Sequence, residues 1–325
     1  MDGKYSGTGA HLEYKVSLDR KTEAMQIFYV KETKDTAGTV TKRDIYALQR
    51  SGNDDYLSHC ELNSNTGVYE QVDTMKLVNF GHGQLLQYFQ HNGNDYFWVG
   101  TYASQDATQP FPWSQQIGRI QYKPGTSLDY KQTTRLTGLR YARKDKPAFK
   151  HAVRVEGALS SKRDKLLILV IDDSSPHRGH FVLYDNEALN TVLDGVEGST
   201  NPSISCNDGK VIKAALKDFV SDKVVSLSYD SSIEGVELAD NDAVYFSSSA
   251  EGKNRIGISR SAWGSSSSIH KLVDNSNWTS GETEGEAIQL LGDNVLIGIT
   301  QYPNGDGIGS PRNNSIYRFP KSAFN

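Results

Sequence analysis

The residues of this sequence best suited to chemistry are acids and amides that open similar stretches. Glu156, Glu234 and Glu286 each head a segment that alternates, turns and then runs apolar. Gln84 heads a fourth segment with an amide in place of the acid, and Gln26 a weaker fifth. Carboxylates drawn together from distant parts of a chain can hold a cation or amine, or share a proton so that one stays neutral. They can also serve as acid and nucleophile, or acid and base, in glycoside hydrolysis, with separations of ~5 Å for retention and ~6.5–9.5 Å for inversion. Glu156, Glu234 and Glu286 are therefore the catalytic candidates, although no local motif marks any of them as catalytic. Together with Gln84 they are also the candidate ligand-binding set. Three carboxylates ~6–9 Å apart would repel by about 1–3 kcal/mol per pair at an effective dielectric near 20. A bound cation, a retained proton, Arg154 or water would relieve that. The competing structural reading is that these residues cap strands and order water.

Other side chains extend the candidate site. His82 stands between Gly81 and Gly83, which would let a ligand approach the backbone closely; a hydrogen-bonded structural histidine is the alternative. Trp113 offers a flat apolar face of the kind that stacks on sugar rings, or would simply pin its Pro-rich loop to the rim, and Tyr102 and Tyr302 are expected at that rim beside it. His177 and His180 beside Asp172 and Asp173 invite a metal, but their spacing fits no familiar zinc site. Asp240, Asn241, Asp242 and Asp293 read as turn chemistry before calcium chemistry. No metal site is assigned and no cofactor is expected; a cation at the mouth of an axial channel is the one inorganic ligand considered.

These residues need elements that bring them together. The segments Glu156–Leu169, Glu234–Phe246, Glu286–Gly298 and Gln84–Val99 each read as strand, tight polar turn, strand, and Met25–Val30 begins a weaker copy. Recurrence of one hairpin is the mark of a repeat architecture. Two further strands follow each hairpin, among them His180–Tyr184 and Val211–Leu216 in the third unit. Only Asp185–Leu193 and Lys213–Val220 could be helical. The fifth unit ends one strand short, while His11–Leu18 is a spare strand at the start. An all-β five-bladed β-propeller of four-stranded antiparallel blades, its last blade closed by the N-terminal strand, accounts for both. The blades would span about residues 23–80, 81–140, 150–220, 226–275 and 283–325 with 11–18, forming one domain over 1–325. An open β-sandwich is the alternative, but gives no reason for the repeat. The long loops Thr101–Gln115, Asp172–Gly179 and Gln301–Asn314 would share a face with the starts of the inner strands.

Composition sets the outer limits. The 325 residues are 37% hydrophobic and 23% charged, with net charge −4, which leaves no overall basic footprint for nucleic acid or anionic membrane. No stretch approaches the ~20 apolar residues of a membrane span, and Met1–Ala10 shows no Sec-type signal. Cys60 and Cys206 read as two buried free thiols.

From Gly81 to Phe319 the chain resembles the helveticin J family, the large heat-labile class III bacteriocins of lactobacilli. The resemblance rests on Gly81–Gln84, Tyr96–Gly100, Gln116–Ile120, Ala158–Ser160 leading into Leu166–Leu169, Gly179–Tyr184, Ser232–Gly235, Glu284–Gln289 and Ile316–Tyr317. Earlier in the chain, Asp44–Leu48 is its main anchor. It implies a secreted antibacterial protein that kills related Gram-positive bacteria, and brings no catalytic mechanism to transfer. Arg154 stands where similar proteins carry His, with His151 upstream, so no catalytic histidine is placed there. The expected partner is a glycan or receptor of the bacterial envelope, met by a monomer through its loop-rich face. The alternatives are a wall glycoside hydrolase using the inner-strand glutamates and a non-toxic carbohydrate-binding or adhesion module.

Overall fold

The structure, a computed structural model, describes residues 3–5, 11–229, 232–250, 255–278, 282–304 and 310–324. It is an all-β fold. After β1 (Gly3–Tyr5) and β2 (His11–Ser17) come β3 (Met25–Lys34), β4 (Val40–Ser51), β5 (Asp54–Asn63) and β6 (Val68–Val78). Next are β7 (Leu86–His91), β8 (Asn94–Ala103), β9 (Ser114–Ile120), β10 (Ser127–Asp129) and β11 (Thr134–Thr137). The third run holds β12 (Ala152–Leu159), β13 (Lys165–Asp172), β14 (Gly179–Asp185), helix α1 (Asn186–Asp194), β15 (Ser203–Ser205), helix α2 (Gly209–Ala214) and β16 (Ala215–Ser221). The last two runs are β17 (Gly235–Leu238), β18 (Val244–Ala250), β19 (Arg255–Ser261) and β20 (Ile269–Val273), then β21 (Thr283–Leu291), β22 (Asn294–Gln301) and β23 (Asn313–Pro320).

Local chemistry explains the hairpins. At the β7–β8 turn Asn92 and Gly93 both have positive φ, 49° and 74°, as a two-residue turn matched to strand twist requires. Within each run neighbouring strands pair antiparallel, giving the orders β3-β4-β5-β6, β7-β8-β9-β11, β12-β13-β14-β16 and β17-β18-β19-β20. β21, β22 and β23 continue into β2, which pairs antiparallel with β23 and parallel with β6. One sheet thus joins the fifth run to the first. The first strands of the runs also pack in a closed cycle: β3 beside β7, then β12, β17, β21 and β3 again.

The core follows the same plan. Its buried clusters lie between neighbouring sheets, as where Trp98 and Ile117 meet Leu166 and Val182, or Phe181 and Leu183 meet Val236 and Phe246. Cys60 and Cys206 are buried free thiols. One expectation needs correction: Val211–Leu216 is not a strand. Asp208 accepts from the Lys210 amide and starts α2, which carries the chain to Ala214 before β16 begins. Val211 and Ala214 are buried on that helix, so the apolar residues that read as a strand serve a helical face. The helical turns read at Asp185–Leu193 become α1, capped by the Asp185 carboxylate on the Ala188 amide at 2.9 Å.

Candidate functional site

The starts of the inner strands converge at one end of the cycle. Gln26 donates to Glu286 Oε1 at 3.4 Å, and Gln84 Nε2 donates to Glu234 Oε2 at 3.2 Å. Arg154 Nε donates to Glu156 Oε1 at 2.6 Å. The same guanidinium reaches the Gln84 side-chain oxygen, and the Ile233 carbonyl at 2.6 Å. These bonds make two groups, Gln26 with Glu286 and Arg154 with Gln84, Glu156 and Glu234, and Glu234 lies near enough to Glu286 to raise its pKa, which brings residues of all five hairpin units to one polar centre. Small residues follow the glutamates: Gly157, Gly235 and Ala287. A Cβ on Gly235 would lie 2.8 Å from Ser247 Oγ and 2.9 Å from the Ile288 amide nitrogen, so the close approach of β17 and β21 needs glycine there.

Burial sets the electrostatics. Glu156 is fully buried and Glu286 nearly so, while Glu234 is half-buried. Burial drives the Glu286 carboxyl well above the usual carboxylate range; Glu284 and Glu234 push it further up, and the Arg50 cation opposes them. The Glu156 carboxyl is also raised by burial, against the pull of Arg154 and with Glu234 adding repulsion. Ser232 Oγ donates to Glu234 Oε1. Glu156 Oε2 is buried with no hydrogen-bond partner among the described residues.

His82 stands beside this centre. Its amide donates to the Pro112 carbonyl at 2.7 Å, which fastens the β8–β9 loop over the approach to β7. Gly81, at φ 85°, permits this, since a Cβ there would meet the Pro112 oxygen at 2.5 Å. The His82 ring stacks on Trp113 with centroids 4.5 Å apart and meets Phe111 edge-on at 5.3 Å. The Arg154 guanidinium lies 4.0 Å from the Trp113 ring centroid. Both His82 ring nitrogens are buried without a partner among the described residues. Burial, then Arg50 and Arg154, hold its pKa well below the ordinary value, so the ring is neutral at pH 7. A neutral imidazole there offers one donor and one acceptor.

Tyr302 enters indirectly: its hydroxyl donates to Glu284, two residues before Glu286 on β21. Tyr102, at φ 66°, packs on Tyr130 with ring centroids 5.0 Å apart, and no described contact ties it to the acids. His177 and His180 do not share a ligand: Nδ1 of His177 contacts the Asp172 carbonyl at 2.6 Å, and Nε2 of His180 contacts Asp218 at 3.0 Å. His151 is exposed, 3.0 Å from Asp173. Among the described residues, Asp44, His59 and Glu61 have the mutual spacing of metal ligands. Lys42 Nζ already sits 2.9 Å from Asp44 and 2.7 Å from Glu61, so an ammonium fills that place.

Sequence reasoning missed Arg50, Ser232 and Glu284. Ser232 and Glu284 each lie two residues before a ring glutamate, which is a signal the spacing held. Arg50 comes from the end of β4, and nothing in its neighbours announces it.

The sequence profile of the bacteriocin helveticin-J family matches residues 10–322. The chain belongs to the helveticin J family. A search of curated proteins returns no match. Among solved structures this family member is similar to the tail fiber of Staphylococcus aureus phage P68, with a TM-score of 0.59 and 14% identity over 96% of this chain and 52% of that one. It spans about half of that fiber chain, and the likeness is one of fold. A mannose phosphorylase from Leishmania mexicana aligns with a TM-score of 0.44 and 10% identity, covering 94% of this chain and 88% of that one. A thermostable family-43 glycoside hydrolase aligns at 0.43 and 8%, covering 98% and 92%. Likeness at those two scores carries no argument for this chain.

Proposed function

We propose that this protein is a secreted antibacterial protein that recognises a glycan of the bacterial envelope through the polar centre at the starts of its inner strands. Gln84, Glu156, Glu234 and Glu286 line the pocket, and His82, Trp113, Tyr102 and Tyr302 form its rim. The chain is read as a single-domain five-bladed β-propeller, with four-stranded blades and β2 completing the last. The closed cycle of β3, β7, β12, β17 and β21 and the core clusters between neighbouring sheets support that reading.

The observation that carries the proposal is the convergence of five strand starts around a polar centre in which three buried polar atoms have no partner among the described residues. Buried polar groups are almost always hydrogen-bonded. Both His82 nitrogens and Glu156 Oε2 lack partners among the described residues, and a saccharide hydroxyl, donor and acceptor at once, suits them. The exposed Phe111 face and half-buried Trp113 beside them offer apolar surface for a sugar ring. Membership of a bacteriocin family directs the choice of glycan to the bacterial wall.

The test is sedimentation of the full chain with purified cell walls, in parallel with killing assays, for the wild type and for Glu156→Gln, Glu234→Gln and Glu286→Gln. Loss of wall binding together with killing supports the proposal. Variants that bind and kill as the wild type does sink it. Wall binding by a wild type that kills nothing indicates an adhesion module instead.

A second reading, a wall glycoside hydrolase, is favoured by one observation: burial drives the Glu286 carboxyl well above the usual carboxylate range, with Glu234 near enough to push it further up, and glycoside hydrolysis needs two carboxyls, one of them an acid of raised pKa. Dye release from labelled walls decides it: activity lost in Glu286→Gln with binding kept makes the protein an enzyme, and no release by the wild type removes the reading.

A further inference from the structure

Three residues beyond the starts of the inner strands lies a second tier of polar groups. Tyr29 follows Gln26, Gln87 follows Gln84, Glu237 follows Glu234 and Gln289 follows Glu286. A plain strand would turn every second residue to the same side. In β3 the pairing passes from Met25 with Gln49 to Ile27 with Leu48, leaving Gln26 extra. In β21 it passes from Gly285 with Ile299 to Ile288 with Ile297, so Glu286 and Ala287 oppose one residue. In β3 and β21 these bulges let both tiers face inward.

The second tier lines a cavity of about 400 Å³, within the range of small-molecule sites. Its buried wall is hydrogen-bonded into a fixed shape. Gln87 Nε2 donates to Glu237 Oε1, the Leu290 amide donates to Glu237 Oε2 at 3.2 Å, and the Gln289 amide group bridges the Val30 backbone at 2.8 and 3.1 Å. The side-chain oxygen of Gln87 has no partner among the described residues. Burial lifts the Glu237 pKa to about 8, so this wall is neutral at pH 7.

The charged groups are at the mouth. Arg163 uses one N–H, on the Tyr29 hydroxyl at 2.6 Å, and has no acidic partner among the described residues. Glu32 is held by Arg43 at 3.1 Å and Lys34 at 3.7 Å. The lining therefore carries two cations, Arg163 and Lys34, against one ionised carboxylate.

We propose that this cavity is a second binding site, for a polyhydroxylated molecule bearing one anionic group. The anion pairs with the unused N–H groups of Arg163, the geometry guanidinium offers to phosphate and carboxylate alike. The hydroxyls meet Gln87, Gln289 and Glu237. The site is separate from the polar centre at the other end of the inner strands and does not depend on the function proposed for that centre.

Isothermal titration calorimetry of the full chain at pH 7 tests this with three probes: glucose 1-phosphate, glucuronic acid and glucose. At least one anionic sugar binds roughly tenfold or more tightly than glucose, the span of one charge-assisted contact; which one binds identifies phosphate or carboxylate as the anion. Arg163→Asn, chosen because asparagine tolerates the φ of 61° found there, abolishes the preference while the melting temperature is kept. Ser161→Trp, at the exposed rim of the cavity, blocks all binding. Neither anionic sugar binding, glucose binding equally well, or both variants behaving as the wild type overturns the proposal.

Discussion

At the residue scale, Arg154 contacts groups from three hairpin units: Gln84 and Trp113 from the second, Glu156 from its own, and Ile233 from the fourth. Removing one partner of a buried ion pair costs about 3–5 kcal/mol, because the other is left uncompensated. Arg154→Met should lower stability by that order in urea unfolding at pH 7, and by clearly less at pH 4, where Glu156 takes up a proton. An equal loss at both pH values would mean that charge is not the cause. Glu237 supplies the second expectation. Its pKa of about 8 in the fold against 4.5 when free means that folding favours its neutral form. That stabilisation is complete below pH 4.5 and fades as the pH rises through 8. For one group the slope is about 1.4 kcal/mol per pH unit. Glu237→Gln should flatten the loss of stability between pH 5 and 8 and be the more stable protein at pH 9. A parallel pair of stability curves would refute it.

At the element scale, β2 holds more than its own length suggests. It pairs with β23 on one side and β6 on the other, so a single strand covers two edges that would otherwise present unpaired amides and carbonyls. Deleting residues 1–18 should expose both. The expected outcome in size-exclusion chromatography is early elution as aggregate, with a lower melting temperature for any monomer recovered. A monodisperse product that melts like the full chain would show that β2 is ornamental. Elements also reveal how far the sequence could be read. Hairpins with a polar turn between alternating and apolar strands were legible, because turn residues such as Asn92 and Gly93 have few other uses. The Val211–Leu216 segment was not, since a short apolar run suits a strand and a helix equally until Asp208 caps its start.

At the scale of the whole molecule, the glutamates at positions 156, 234 and 286 are distant in the chain, yet Glu234 lies near enough to raise the pKa of both others. Their recurrence at equivalent places in a repeated hairpin was written in the sequence, as were Gln84, Gln26, the long loop bearing Trp113 and the family likeness. What each one touches was not. A repeat determines equivalence, since the same local pattern makes the same local element. It does not determine which ends of those elements meet, how a bulge re-aims a side chain, or which distant cation lies opposite. The pairing of Arg154 with Glu156, the arrival of Arg50 from β4, the stacking of the His82 ring on Trp113 and the second tier around Glu237 were all decided by tertiary packing. Burial and long-range contact depend on the closed arrangement of the strands, and no local stretch of residues encodes that.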